Sequence, residues 1–131
     1  NRTIVFIHPR RALNKMIENI IPVLGVSNLK KSVEFYLTKL SFQLRWGDPK
    51  TDRICSICRD DHYIMLQLQN PVKPSLIYLG LTNDELFNKC LKNNVKIVQP
   101  PTENTWAYEM QILDIDSNTI WMGTSPKNLE I

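Results

Sequence analysis

The stretch Ile21-Pro-Val-Leu-Gly-Val-Ser-Asn-Leu-Lys-Lys-Ser-Val-Glu-Phe-Tyr36 decides the fold class. Its first residues belong to an apolar, β-branched run, Ile20 to Val26, that reads as a strand. Pro22 has no N–H to give to a ladder, so this strand lies at a sheet edge or starts there. Ser27 or Asn28 then offers a side-chain oxygen to cap a helix. Leu29, Val33, Tyr36, Leu37 and Leu40 recur at helical spacing and form its buried stripe, with Lys30, Lys31, Glu34 and Lys39 on the wet side.

Downstream come three candidate strands, Phe42 to Trp46, Arg53 to Arg59 and Tyr63 to Gln69. Gly47-Asp-Pro and Asp60-Asp61 stand at the breaks, as turn chemistry requires. After Asn70-Pro71 the order repeats. Ser75 to Leu81 reads as a strand, and Thr82 with Glu85 has capping-box spacing. Leu86, Phe87, Cys90 and Leu91 form a second helical stripe, ended by Asn93-Asn94 through a left-handed residue. Lys96 to Val98 is a short strand stopped by Pro100-Pro101. Tyr108 to Leu113 and Thr119 to Gly123 follow, with Asp114-Ile-Asp-Ser-Asn118 as the turn between them. The pattern is βαβββ twice, an α+β class built from two modules of about 50 residues each. It divides the chain into an N-terminal extension, 1–16, and a single domain, 17–131, with modules over about 17–70 and 73–125. Met65, Trp106 and Trp121 fall on strands whose second face would otherwise read polar, so the sheets are expected to curve and enclose a pocket.

The chain has 131 residues, 43% apolar and 22% charged, which suits one globular domain with its own core. No apolar run approaches the ~20 residues of a membrane-spanning helix. Ile4 to Ile7 is too short for a signal peptide, so the cytoplasm is the expected compartment. The net charge of +3 is unevenly spread. Arg2, Arg10, Arg11 and Lys15 lie in the first sixteen residues, which hold no acid, and the rest carries twelve basic against thirteen acidic residues. No basic face for nucleic acid is implied. In the leader, Thr3 to Ile7 reads as a short strand, and His8-Pro-Arg-Arg11 as a contact for an acidic partner or phosphate, or as plain solvated chain.

Three stretches resemble the vicinal oxygen chelate superfamily, which includes glyoxalase I, extradiol dioxygenases and bleomycin-resistance proteins. The opening stretch is similar to a family strand that runs into a helix ending "S-V-x-F-Y", with Leu40-Ser-Phe42 where the family has Leu-Gly-Phe. Asn104-Thr-Trp-Ala-Tyr-Glu-Met-Gln-Ile-Leu-Asp114 is similar to the "T-P-W-G…F…D" stretch of the bleomycin-resistance branch. Asp114-Ile-Asp-Ser-Asn118 stands where the family has Asp-Pro-Asp-Gly-Asn. The resemblance covers residues 17–125 and implies the glyoxalase/bleomycin-resistance fold. Ser41, Ala107, Ile115 and Ser117 depart from the family's Gly and Pro positions.

The superfamily's enzymes hold a divalent metal with one side chain from each of four strands. Carried over, those positions fall on Ile21, Met65, Leu76 and Trp121, none of which offers nitrogen or oxygen to such an ion. Gln67 and Glu109 are the nearest alternative ligands. The resemblance therefore implies the metal-free branch, which sequesters its drug at a homodimer interface. Its drugs are cationic and their traps acidic, unlike this chain, so the ligand stays open.

Other chemistry is thin. Cys55-x-x-Cys58 sits in a strand, where the two thiols point to opposite faces and read as small buried hydrophobes. Three cysteines imply no disulfide framework. His62 reads as a turn residue without an orienting partner, and four scattered glycines build no phosphate loop. The tryptophans remain, Trp46 ending a strand, Trp106 opening one and Trp121 inside the last, with Tyr108 expected on the face of Trp106 and Glu109 on the other. Gln67 shares the face of Met65. The expectation is a homodimer that binds a small, largely apolar or aromatic molecule through Trp46, Met65, Gln67, Trp106, Tyr108 and Trp121. It would use no cofactor and no catalytic residue, and touch neither nucleic acid nor membrane. The alternatives are a metal-dependent glyoxalase-type lyase or dioxygenase with displaced ligands, and a pure interaction module.

Overall fold

The computed structural model describes residues 14–127, so the strand and contact candidates of the leader lie outside the described residues. The elements run β1 (Val23–Val26), α1 (Leu29–Leu40), β2 (Gln43–Trp46), β3 (Ile54–Arg59) and β4 (His62–Leu68). A second set follows as β5 (Leu76–Gly80), α2 (Glu85–Lys92), β6 (Lys96–Glu103), β7 (Tyr108–Leu113) and β8 (Thr119–Thr124). They build two four-stranded mixed sheets, ordered β1-β4-β3-β2 and β5-β8-β7-β6. In each, the strand before the helix pairs in parallel with the last strand, and the other pairs are antiparallel. This is the α+β pattern of two βαβββ units. Among the described residues no helix is long and apolar enough to cross a membrane.

Local chemistry explains most boundaries. Asn28 caps α1, its Oδ1 accepting the Lys31 N–H at 3.0 Å. Ser41 ends α1 in the left-handed region, at φ 65°. Asp60 and Asp61, at φ 51° and 65°, form the two-residue turn between β3 and β4, with Arg59 paired to His62. His62 thus opens β4 rather than sitting in the turn. Asn94 supplies the left-handed residue after α2, at φ 55°.

Three expectations are corrected. Thr82 does not cap α2: Asp84 holds the cap position without a side-chain bond, and Asn83 Oδ1 accepts the Glu85 N–H at 2.9 Å. β6 runs on through Pro100-Pro101 to Glu103. It is an edge strand with register shifts between Ile97 and Gln99 and between Gln99 and Thr102, the setting in which a strand tolerates proline. Trp106 does not open β7 but lies in the loop before it, 69% exposed. The loop is closed by Asn104 N–H donating to the Ala107 carbonyl.

One continuous core joins both sheets. Leu24, Val26, Ile57, Ile64 and Leu66 from the first meet Met110, Ile112, Ile120 and Met122 from the second, with Val33, Tyr36, Leu40 and Phe87 from the helices between. Every one of these strand residues projects from the helix-covered face of its sheet, as the registers and period two require.

A buried polar lock fastens the seam between the β7–β8 turn and the β1–α1 corner. Tyr36 donates its hydroxyl to Asp114 Oδ2 at 2.7 Å. Asp114 also accepts the backbone N–H groups of Asp116 and Asn118 and the Asn118 side-chain amide, each at 2.9 Å. Asn118 donates to the Gly25 carbonyl at 2.9 Å and accepts the Ser75 N–H at 2.8 Å. Burial, then the neighbouring Asp114 charge, holds the Tyr36 phenol well above its usual range.

Candidate functional site

The sheet faces turned away from the helices carry the candidate residues in cross-strand rows. On the first sheet, Val23, Met65, Ser56 and Trp46 pair across β1, β4, β3 and β2 in one row. Gln67 lies in the adjoining row with Gly25 and Ile54. Three of the residues selected from sequence thus share one face. A bulge between Leu44 and Trp46 brings Arg45 onto it, its guanidinium 4.0 Å above the Tyr63 ring.

On the second sheet, the matching row is Tyr78, Trp121, Gln111 and Gln99, across β5, β8, β7 and β6. Met65 and Trp121 therefore occupy equivalent places in the two modules. Tyr78 meets Trp121 edge to face, with ring centroids 5.1 Å apart. Gly123 makes this possible, because a Cβ there would strike the Tyr78 hydroxyl. Gln111 donates to Gln99 Oε1 at 2.9 Å, and in the next row the buried Glu109 accepts from Asn104 Nδ2 at 3.2 Å. The Trp121 Nε1–H is buried with no hydrogen-bond partner. Such a group costs about 1–3 kcal/mol until an acceptor reaches it.

The remaining two residues are placed elsewhere. Tyr108 points to the helix side, its ring 5.3 Å from that of Phe87. It cannot share a face with Trp106, which stands on a loop. Glu109, on the opposite side from Tyr108, joins the Trp121 face as the strand period demands. The Met65 and Trp121 faces both turn away from the shared core, so within one chain they do not face each other across it.

Sequence reading missed Tyr78, Gln111 and Gln99. Period two alone puts Tyr78 on one face of β5, but only the parallel register with β8 sets it beside Trp121. The cysteines are structural. Cys55 is buried in the core, Cys58 is half-buried on the other face, and Cys90 is buried beneath α2. Burial raises the Cys55 thiol, helped by Asp52 and Asp48, and pushes the Cys90 thiol up to about 11.

A cavity of about 720 Å³ opens away from the Met65 and Trp121 rows, with Tyr78 in its lining. It lies in the seam between the β3–β4 turn and the β5–α2 corner, and none of the six residues selected from sequence lines it.

Solved structures share this architecture. A glyoxalase/bleomycin resistance protein/dioxygenase from Nocardioides matches with a TM-score of 0.66 at 14% identity, over 92% of this chain and 93% of that one. The fold is the glyoxalase/bleomycin-resistance fold. Within this fold, TnmS3, an antibiotic binding protein from Streptomyces sp. CB03234, matches with a TM-score of 0.70 at 18% identity, over 85% and 98% of the two chains. A lactoylglutathione lyase from Agrobacterium tumefaciens matches at 0.67 and 12% identity, over 82% and 92%. No protein-family model and no curated protein matches the sequence. At these identities the likeness shows the fold and leaves the chemistry to the site.

The donor set does not fit the metal of the superfamily's enzymes. The positions that the resemblance assigns to it carry Ile21, just ahead of β1, Met65, Leu76 and Trp121: two aliphatic chains, a thioether and an indole. Among the described residues no three His, Cys, Asp or Glu side chains gather. Gln67 and Glu109 lie on different sheets and do not complete a set.

Proposed function

We propose that this chain reversibly captures a small, largely apolar or aromatic molecule on its open sheet faces, without a metal, as a homodimer. The observation that carries the reading is Trp121. Where the superfamily's enzymes place a metal-binding carboxylate, this chain sets an indole against Tyr78, with its N–H unmet by protein. A planar ligand stacking there gains ~0.5–1.5 kcal/mol per ring beyond area burial. An acceptor atom on its edge would take the waiting N–H. Met65 and Trp46 give the other module a soft, apolar platform, and Gln67 a polar handle. The two faces do not meet within one chain, so a pocket using both needs a second copy. The reading suits a cytoplasmic binder of antibiotic-like or toxic molecules.

The test is a panel of planar aromatic compounds, screened by quenching of tryptophan fluorescence and confirmed by calorimetry. A Trp121→Ala variant is expected to lose binding while size-exclusion still shows a dimer. Retained affinity in that variant would disprove the assignment. Protein purified without chelators and offered zinc, nickel, manganese and iron is expected to hold none of them stoichiometrically. One tightly held ion per chain would instead favour a metal-dependent lyase or dioxygenase.

A further inference from the structure

The two inter-module seams are topological counterparts, and they are finished differently. In the second module the β7–β8 turn reaches across to β1 and α1 and fills its seam with Asp114, Asp116 and Asn118. Among the described residues, the corresponding β3–β4 turn of the first module makes no hydrogen bond to β5 or α2. Its Arg59 instead donates to the Ser41 carbonyl at 2.8 Å, within its own module, and to Asp60 at 3.3 Å. The seam it leaves is the cavity of about 720 Å³. That volume falls in the ~300–1,000 Å³ range of small-molecule sites.

Its walls and lip differ in chemistry. Leu40, Ile64, Ile77, Leu79 and Leu86 give an apolar wall drawn from both modules. Two cations, both gathered on Ser41, and the carboxylates of Asp60 and Glu85 stand in its lining. Arg59 holds the Ser41 carbonyl, and the Lys89 ammonium donates to the Ser41 hydroxyl at 2.5 Å. The left-handed Ser41, at the C-cap of α1, presents the hydroxyl and the carbonyl to them. Arg59 is matched by Asp60, which is largely exposed. Lys89 forms no ion pair among the described residues, although Glu85 lies one turn away on α2. The half-buried Lys89 ammonium thus keeps two of its three donors beyond the Ser41 bond.

We infer that this seam is a second binding site, which meets the Trp121 face only at Tyr78, for an amphipathic anion: an apolar body carrying one carboxylate. The body lies along Ile64, Ile77 and Leu79, and the carboxylate meets Lys89, with Arg59 beside it. The Lys89 donors left over beside the apolar wall favour this occupant over a neutral apolar one, because an ammonium–carboxylate hydrogen bond is charge-assisted. The inference does not depend on what binds at Trp121.

Calorimetric titration of the full chain with decanoate tests it. One decanoate per chain is expected, with decanol at least about tenfold weaker. Lys89→Met should weaken decanoate by at least about tenfold and bring it level with decanol, while Lys89→Arg keeps most of the affinity. Leu86→Trp, which fills the cavity from a half-buried position on α2, should abolish binding, and Trp121→Ala should leave it unchanged. Thermal melts on the same samples separate lost binding from lost folding. Equal affinity for decanoate in wild type and in both Lys89→Met and Leu86→Trp would overturn the inference, as would the absence of saturable binding. Loss of binding in Trp121→Ala alone would move the ligand to the open face. A dimer broken by Leu86→Trp, with decanoate affinity intact, would assign the seam to a second copy.

Discussion

Replacing Tyr36 by Phe removes one oxygen from the middle of the inter-module lock and leaves the ring packing in place. The lost bond is short, 2.7 Å, and its acceptor is the carboxylate of Asp114. A hydrogen bond to a charged group contributes ~1.5–3 kcal/mol. Asp114 keeps three other donors, the N–H groups of Asp116 and Asn118 and the Asn118 amide, so it is not stranded. The loss should therefore fall near 2 kcal/mol, a large share of the ~5–15 kcal/mol that holds a domain folded. Asn118→Ala is the harsher companion. It removes donations to Asp114 and Gly25 and strands the Ser75 N–H, for an expected loss of about 3–5 kcal/mol. Urea denaturation followed by circular dichroism measures both. The phenol adds a pH signature. Burial and Asp114 raise the folded pKa, while an unfolded tyrosine titrates near ~10. The folded chain keeps a proton that the unfolded chain releases. This contribution is fully present below pH about 10 and is lost as pH rises beyond it. The gap between wild type and Tyr36→Phe should therefore narrow above pH about 10. A constant gap, a loss under about 0.5 kcal/mol, or an Asn118→Ala loss no larger than that of Tyr36→Phe would refute the account of the lock.

Gly47 has φ 100°, and a Cβ there would lie 2.8 Å from the Ile54 carbonyl oxygen. Gly47→Ala should cost about 1–3 kcal/mol, read as a lower urea midpoint at unchanged slope; an unchanged midpoint would show that the turn can relax. Iodoacetamide at mildly alkaline pH should modify Cys58 first, with Cys55 and Cys90 protected by burial and raised thiol pKa values until urea is added. Mass spectrometry after native labelling checks this, and rapid labelling of Cys90 would contradict it.

The order of elements was legible because it rests on local chemistry. Asn28, Asp60-Asp61 and Asn94 each act within a few residues of themselves. The stripe Leu29, Val33, Tyr36 and Leu40 is the buried face of α1. Errors arose where tertiary context governs. Pro100-Pro101 stops a strand in isolation, but an edge strand with bulges absorbs it. Trp106 and Tyr108 were assigned to one face from period two, which holds only inside a strand, and β7 starts at Tyr108. The site was less legible than the fold. Gln67 shares the face of Met65, as period two suggested, but Trp46 joins it only through the bulge after Leu44, and the partners of Trp121 depend on register, which a single sequence does not display.

The Tyr36–Asp114 bond joins residues 78 positions apart. During synthesis the first module leaves the ribosome while its partner for Tyr36 is still untranslated. At ~5–20 residues per second, roughly 4–16 seconds pass before Asp114 is made. Through that interval the α1 hydroxyl and part of its apolar stripe await the second sheet, and the loop to be closed is long. A slow, late docking of two preformed halves follows from that delay, and with it a window in which α1 of one nascent chain can meet the β7–β8 turn of another.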